Sequence, residues 1–480
     1  MSDTAHSLSR RGFLRMTAAS AGAIGAGALG CEDKPPLGPE SPTTLRPLRI
    51  PSTIGANGVT LNTEVGSADL GAGSSSVVWG YRADSAETVS FPGPTIEARR
   101  GGRATITLTN SGLSEPTITH WHGMVIDGLS DDQPGNDGHP ANAIQPGESF
   151  SYDSPIRQRA GMNWYHPHPH RRTGWQINMG LAGAFLIRDA EEDALGLPSG
   201  DREMPLILRD TELDDGNISY EPVSHGFQGD VGLVNGVRSP TLEVDRDVYR
   251  FRVLNGSSAR IYRLALEGKS FLLIGNDGGL LPTGVPLTEV DIAPAERLDL
   301  LVDFSELDEG GGLVLRDSLA GWELLGFTGS GRGAGGTMPS VRSQITPLSP
   351  ADVVETREFI FEGSSQINGR EFEMDRVDFQ VPRGQTERWI LSAPSDAPHP
   401  VHAHASPFQI QSRTGGRGQV FPWETGWKDT VLLENGETVE LLVRFDLTGI
   451  NHQTRATYLM HCHKLEHEDA GMMLNFQVVG

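Results

Sequence analysis

Three consecutive residues near the C-terminus, His461-Cys462-His463, are soft or borderline metal donors. Side chains on a strand alternate between faces, so His461 and His463 are expected to point one way and Cys462 the other. One short segment can then serve two metal sites separated by a few covalent bonds. His467 and Met472 follow five and ten residues after the cysteine. A thiolate, an imidazole and a weak thioether belong to the donor set of a blue-copper electron-transfer centre.

Upstream motifs multiply that signal. His120-Trp121-His122-Gly123 is followed by Trp164-Tyr165-His166-Pro167-His168, and His399-Pro400-Val401-His402-Ala403-His404 precedes the triplet. Each His-x-His puts two imidazoles on one side of an extended segment, as a multinuclear site needs. Ten of the 15 histidines fall in these four motifs once His467 is counted with the triplet. A single His-x-His is more often a surface pair, but four of them, one enclosing a cysteine, are not explained by ordinary packing. Structural zinc sites are closed tetrahedra of four ligands, which suits neither ten histidines nor the trailing Met472.

The elements that must position these residues read as strands. Gly 59, Pro 31 and many short β-branched runs in 480 residues predict an all-β chain of several domains. Three segments resemble one another: Pro92–Asn110, Ser239–Ser257 and Asp378–Ser395. Each is an extended run, a polar turn and an alternating strand. Repetition at this long spacing predicts three similar β-sandwich domains, over 51–195, 196–350 and 351–480. The Gly-rich stretch Gly326–Ser340 is expected to be a loop or interdomain connection.

Net charge of -23 argues against nucleic acid and anionic membrane surfaces as partners. No run of about 20 apolar residues is present to cross a bilayer. Ser9-Arg10-Arg11-Gly12-Phe13-Leu14 is a twin-arginine pattern ahead of an Ala/Gly-rich stretch, so residues 1–30 read as a Tat-type export signal. The expected location is the periplasm or cell envelope. Gly30-Cys31 leaves two readings open, a lipid anchor on Cys31 or ordinary cleavage nearby. Residues 31–50 are Pro-rich and read as an extended tether. The only other cysteine is Cys462, and a copper thiolate cannot also be a disulfide sulfur, so no disulfide is expected.

Over residues 85–480 the four motifs, in this order, resemble the multicopper oxidases, more closely the bacterial laccase-like and copper-efflux-oxidase-like group. The resemblance implies three cupredoxin-like Greek-key β-sandwich domains and about four coppers per chain. It assigns Cys462, His399 and His467 to a type 1 copper, with Met472 as weak axial ligand. It assigns His120 and His402 to a type 2 copper. His122, His166, His168, His404, His461 and His463 would hold the type 3 pair, between domains one and three. The histidine-poor second domain would be a spacer and a wall. Cys462 would pass electrons to His461 and His463, and O2 would be reduced to water with Asp131 and Glu468 as proton-relay acids.

The resemblance also frames the donor. Copper-efflux members carry a Met-rich insert and a Met two residues before the type 1 histidine. Here Ala397 holds that position, and the 11 methionines do not cluster in 320–380. A phenol or aromatic amine is therefore the expected donor, with Cu(I) or Fe(II) as the alternative. A non-catalytic scaffold, the remaining reading, predicts lost ligands, whereas all the expected donors are present. The protein is expected to be a monomer. Many relatives follow the last histidine of the third motif with Gly, but here it is followed by Ala405-Ser406, which touches only loop geometry. His170 is not expected to be a ligand. His6, His139, His225 and His452 read as surface or loop residues.

Overall fold

A computed structural model describes residues 46–71, 73–130, 133–395, 398–446 and 455–480. The expected export signal, Cys31, most of the expected tether, Asp131, Ala397, His6 and His452 lie outside those residues. Among the described residues, alternation makes the strands. In Arg103–Thr109 the side chains of Ala104, Ile106 and Leu108 are buried, while Thr105 and Thr107 are half-exposed.

The strands form three pairs of sheets, over residues 53–188, 203–329 and 353–479. Each pair encloses an apolar core. Leu61, Tyr81, Ile106 and Phe185 fill the first, Phe251, Tyr262, Leu273 and Phe304 the second, and Phe361, Trp389, Val401 and Phe476 the third. The chain is thus all-β, built from cupredoxin-like sandwiches.

Each of the three similar segments becomes the same two-strand unit. Thr95–Arg99 and Arg103–Thr109, then Thr241–Val244 and Val248–Asn255, then Val377–Pro382 and Thr386–Ala393 step from one sheet of a sandwich to the other. In every case the first strand pairs in parallel with the last strand of its sandwich. The second pairs in parallel with a strand that precedes it in the same sandwich. The repeated pattern of polar turn and alternation therefore encodes a repeated topology.

Residues 46–50, expected to belong to the tether, are instead joined to the middle sandwich. Thr241 donates its N–H to the Arg46 carbonyl at 2.7 Å, and Leu48 donates to the Thr241 carbonyl at 2.8 Å. Leu48 is buried in the core of the middle sandwich. The Gly-rich stretch also lies on that sandwich: Gly335 donates to the Arg246 carbonyl and Gly336 to Ser305 Oγ.

Candidate metal centre

Strand register sorts the donors of the third sandwich. In His399–Ala403, Val401 lies opposite Cys462 and His402 opposite His461 on strand Arg455–Cys462. Val401 and Cys462 face the sandwich core, so His402 and His461 must face the opposite way. The alternation expected for the His461-Cys462-His463 triplet therefore holds. The first sandwich supplies the other wall, with His120 opposite His166 on strands Thr119–His122 and Gly161–Pro167.

On the core side, Cys462 Sγ lies 3.5 Å from His399 Nδ1 and 3.8 Å from His467 Nδ1, and the two imidazole nitrogens are 3.2 Å apart. The short helix Leu465–Ala470 carries His467, whose Nε2–H donates to the Ser224 carbonyl at 2.9 Å. That bond leaves Nδ1 as a lone pair facing the sulfur. Gly471, in the left-handed region, ends the helix and turns the chain back, so that Cys462 donates its N–H to the Met472 carbonyl at 3.1 Å. Met472 is buried in the same core. Burial pushes the Cys462 thiol up to about 12. A thiolate at this depth needs a metal to hold it.

On the other side, eight imidazoles converge. The His122 and His402 rings stack at 3.6 Å, and those of His120 and His404 at 3.8 Å. His168, His404 and His461 form one close trio. The His122, His166 and His463 rings form a second, with centroids 5.1–5.8 Å apart. Outward nitrogens are fixed by protein acceptors. Nδ1–H of His120 donates to the Asp137 carbonyl at 2.7 Å, that of His166 to the Pro167 carbonyl at 2.9 Å, and that of His402 to the Asp429 carbonyl at 2.8 Å. His122 donates from Nε2 to Asp429 Oδ1 at 3.1 Å. Their inward nitrogens, His120 Nε2, His122 Nδ1, His166 Nε2 and His402 Nε2, are buried without a partner, as are both nitrogens of His463. Buried polar atoms are rarely left so. Lone pairs converging from oriented neutral rings are what a metal requires, and imidazole with thiolate suits copper. A cavity of about 10 Å³, room for about one water, lies beside His120, His402, His404 and Asp429.

Burial drives the imidazoles of His120, His122, His166, His402 and His404 well below the ordinary histidine range, and neighbouring imidazoles add to it. Burial also lowers His168 to about 4 and His463 to about 3. In the unfolded chain these rings take protons near pH 6.5. The metal-free protein should therefore hold its full contribution above about pH 6.5 and lose it as pH falls towards 4. Each ring still neutral in the fold costs about 1.4 kcal/mol per pH unit. Melting temperature against pH for the chelator-treated protein measures this, and a flat profile between pH 7 and 4 would count against it.

Besides Asp429, two acids touch the cluster. Glu468 Oε2 lies 3.1 Å from His461 Nδ1 and Oε1 3.5 Å from His168 Nε2, within ion-pair reach but without hydrogen-bond alignment. Asp137 Oδ2 accepts from His404 Nδ1–H at 2.7 Å. Asp137 is buried, and burial raises its carboxyl well above the usual range. Sequence reasoning missed it: the loop after His122 holds Asp127, Asp131, Asp132 and Asp137, and spacing does not choose among them. The signal was Gly138, whose positive φ lets the chain pass so close to Thr119 and His120 that a Cβ would meet their backbone.

Smaller differences follow. His139 is a loop residue, as expected, but not a surface one. It is buried, and its ring contacts Asn475 Oδ1 at 3.0 Å and accepts the Ala141 N–H. His170 packs on Phe372, away from the cluster, and His225 is exposed. Ala405 has φ of 74°, a left-handed conformation that costs a residue with Cβ about 1 kcal/mol. That is the conformational reason a glycine suits this position.

Two segments match the family description "Multicopper oxidase", residues 85–192 and 345–480, which are the parts that carry the histidine motifs. The chain is 33% identical over 396 residues to multicopper oxidase mco of Staphylococcus epidermidis, covering 80% of this chain and 82% of that protein. It is 34% identical over 497 residues to the cell division protein FtsP of Sodalis glossinidius, covering 98% of each. The laccase of Pediococcus acidilactici superposes with a TM-score of 0.83 at 31% identity, across 92% of this chain and 95% of that one. With such identity sustained over four-fifths of its length, and with the donor motifs inside the matched segments, the chain belongs to the multicopper oxidase family.

Proposed function

We propose that this protein is a laccase-like oxidase that couples four one-electron oxidations of a phenol or aromatic amine to the reduction of O2 to water. The observation that carries the reading is the junction at residues 461–463. Cys462 points its sulfur at His399 and His467, and its two neighbours point imidazoles into the histidine cluster. Copper, one type 1, one type 2 and a type 3 pair, would supply one-electron redox steps and O2 chemistry.

The protein's residues do the rest. Cys462 with His399, His467 and the buried Met472 would hold the first copper. His120 and His402 would hold the type 2 ion. The trios His122/His166/His463 and His168/His404/His461 would hold the type 3 pair. Asp137, beside His404, and Glu468, beside His461 and His168, are placed to relay protons at the cluster. The likeness to a laccase and the lack of a methionine cluster support the aromatic donor. The twin-arginine pattern supports export to the periplasm or cell envelope.

The likeness to a cell division protein over 98% of the chain favours a second reading, a structural role in division without turnover. Copper content and O2 uptake separate the two. The oxidase reading expects about four coppers per chain, a blue protein, and O2 consumption faster with phenols than with Cu(I) or Fe(II). Preference for the metal ions would move the donor class. Folded protein without O2 uptake on any donor would favour the structural role.

A further inference from the structure

Arg297 opens strand Arg297–Asp303 of the middle sandwich, which contributes no candidate metal donor. Its side chain nevertheless spans all three sandwiches. Nε donates to the Met162 carbonyl at 3.1 Å in the first. Nη1 donates to the Ala295 carbonyl at 2.8 Å in the second and to Asp429 Oδ1 at 2.7 Å in the third. Nη2 donates to the Asp277 carbonyl at 3.2 Å and to Asp429 Oδ2. All five N–H donors are used, so the guanidinium has one orientation.

Asp429 in turn orients an imidazole from each histidine-bearing sandwich. Its Oδ1 accepts from His122, and its carbonyl accepts from His402. Thr430 Oγ1 also donates to Oδ1 at 2.9 Å. Behind Arg297, the Asp277 carboxylate accepts the Arg297 N–H at 2.8 Å and pairs with Lys428 at 2.8 Å, and Lys428 also pairs with Glu296 at 3.1 Å. All five charged residues are buried. The backbones around them are locked together: Gly278 donates to the Trp427 carbonyl at 2.9 Å, and Asn276 to the carbonyls of Trp423 and Thr425.

An independent feature marks the same clamp. Gly123, in the first histidine motif, has φ of 83°, and a Cβ there would sit 2.8 Å from Asp429 Oδ2 and 2.9 Å from Arg297 Nη2. The motif's glycine leaves room for the fork.

We infer that Arg297, braced by Asp277 and Lys428, is a positioning residue for the histidine cluster, so the middle sandwich sets the aim of His122 and His402 through Asp429. This rests on the reading that the cluster holds copper. A planar fork using five donors cannot be replaced by a single ammonium. A group hydrogen-bonded to a metal's ligand, as Asp429 is, typically changes affinity by about ten- to a hundredfold, and Arg297 acts through that group.

The test uses the copper-loaded full chain and the variants Arg297→Lys, Arg297→Gln and Asp277→Asn. Cluster copper in Arg297→Lys should be lost to a chelator about tenfold more readily, the low end of the range for a direct ligand partner, with an altered type 2 electron paramagnetic resonance signal. The blue absorption of the Cys462 site should be unchanged. Asp277→Asn should move both readouts less, in the same direction, and these two variants decide the matter if Arg297→Gln does not fold. Wild-type retention and signal in folded Arg297→Lys would overturn the inference. So would parallel loss of both copper sites with a lowered melting temperature, which is a general structural role. Wild-type protein that binds no copper at the cluster would instead overturn the oxidase reading, and the inference with it.

Discussion

Replacing Cys462 by Ser is expected to leave a folded protein with no blue absorption and donor oxidation at background. The side chain is fully buried, between His399 and His467. Serine is close in volume, and burying its hydroxyl costs about 1–3 kcal/mol, so the fold should survive. A hydroxyl is a hard, weakly acidic donor and does not replace a thiolate at copper. Copper content should fall by about one per chain, because the eight imidazoles of the cluster are untouched. O2 uptake should cease even so, since Cys462 is the residue through which both neighbours, His461 and His463, connect to the His399/His467 site. Copper analysis, visible absorption and O2 uptake on one preparation check this. Sustained turnover in Cys462→Ser would mean that electrons reach the cluster by another route.

Asp137→Asn and Glu468→Gln should each slow O2 reduction by about 10²-fold or more while leaving reduction of the Cys462 site at its wild-type rate. The argument is positional. Asp137 Oδ2 is 2.7 Å from His404 Nδ1, and Glu468 lies between His461 and His168. Their charge states differ in the metal-free protein. Burial holds Asp137 towards its protonated form. Burial also pushes Glu468 up, but His168 and His461 outweigh it and hold the carboxyl low. Stopped-flow reduction and reoxidation measured separately would show the split. Asp131→Asn is the comparison: a loss of the same size there, with none at Asp137, would return the relay to position 131.

Much of the centre is legible in the sequence. Ligands sit in local motifs because strand alternation alone puts His461 and Cys462 on opposite faces, and the register with Val401 and His402 obeys it. The three sandwiches were legible for the same reason, since a polar turn followed by alternation is a local pattern that recurred in Pro92–Asn110, Ser239–Ser257 and Asp378–Ser395.

What the sequence by itself determined, then, is the all-β class, the repeat and the kind of donors that meet. Only the tertiary structure showed that Asp137 reaches the cluster, that His139 is buried, and that the middle sandwich is more than a wall. Asp137 was one of several loop aspartates, and its role depends on a backbone path past Thr119 that Gly138 allows. Arg297 lies 132 residues from Asp429 and belongs to no motif. A buried ion pair is chosen by desolvation, which makes any charge inside the protein seek a fixed partner, and that partner is set by how three sandwiches pack. Periodicity reports which face a side chain takes, but not what waits for it across an interface.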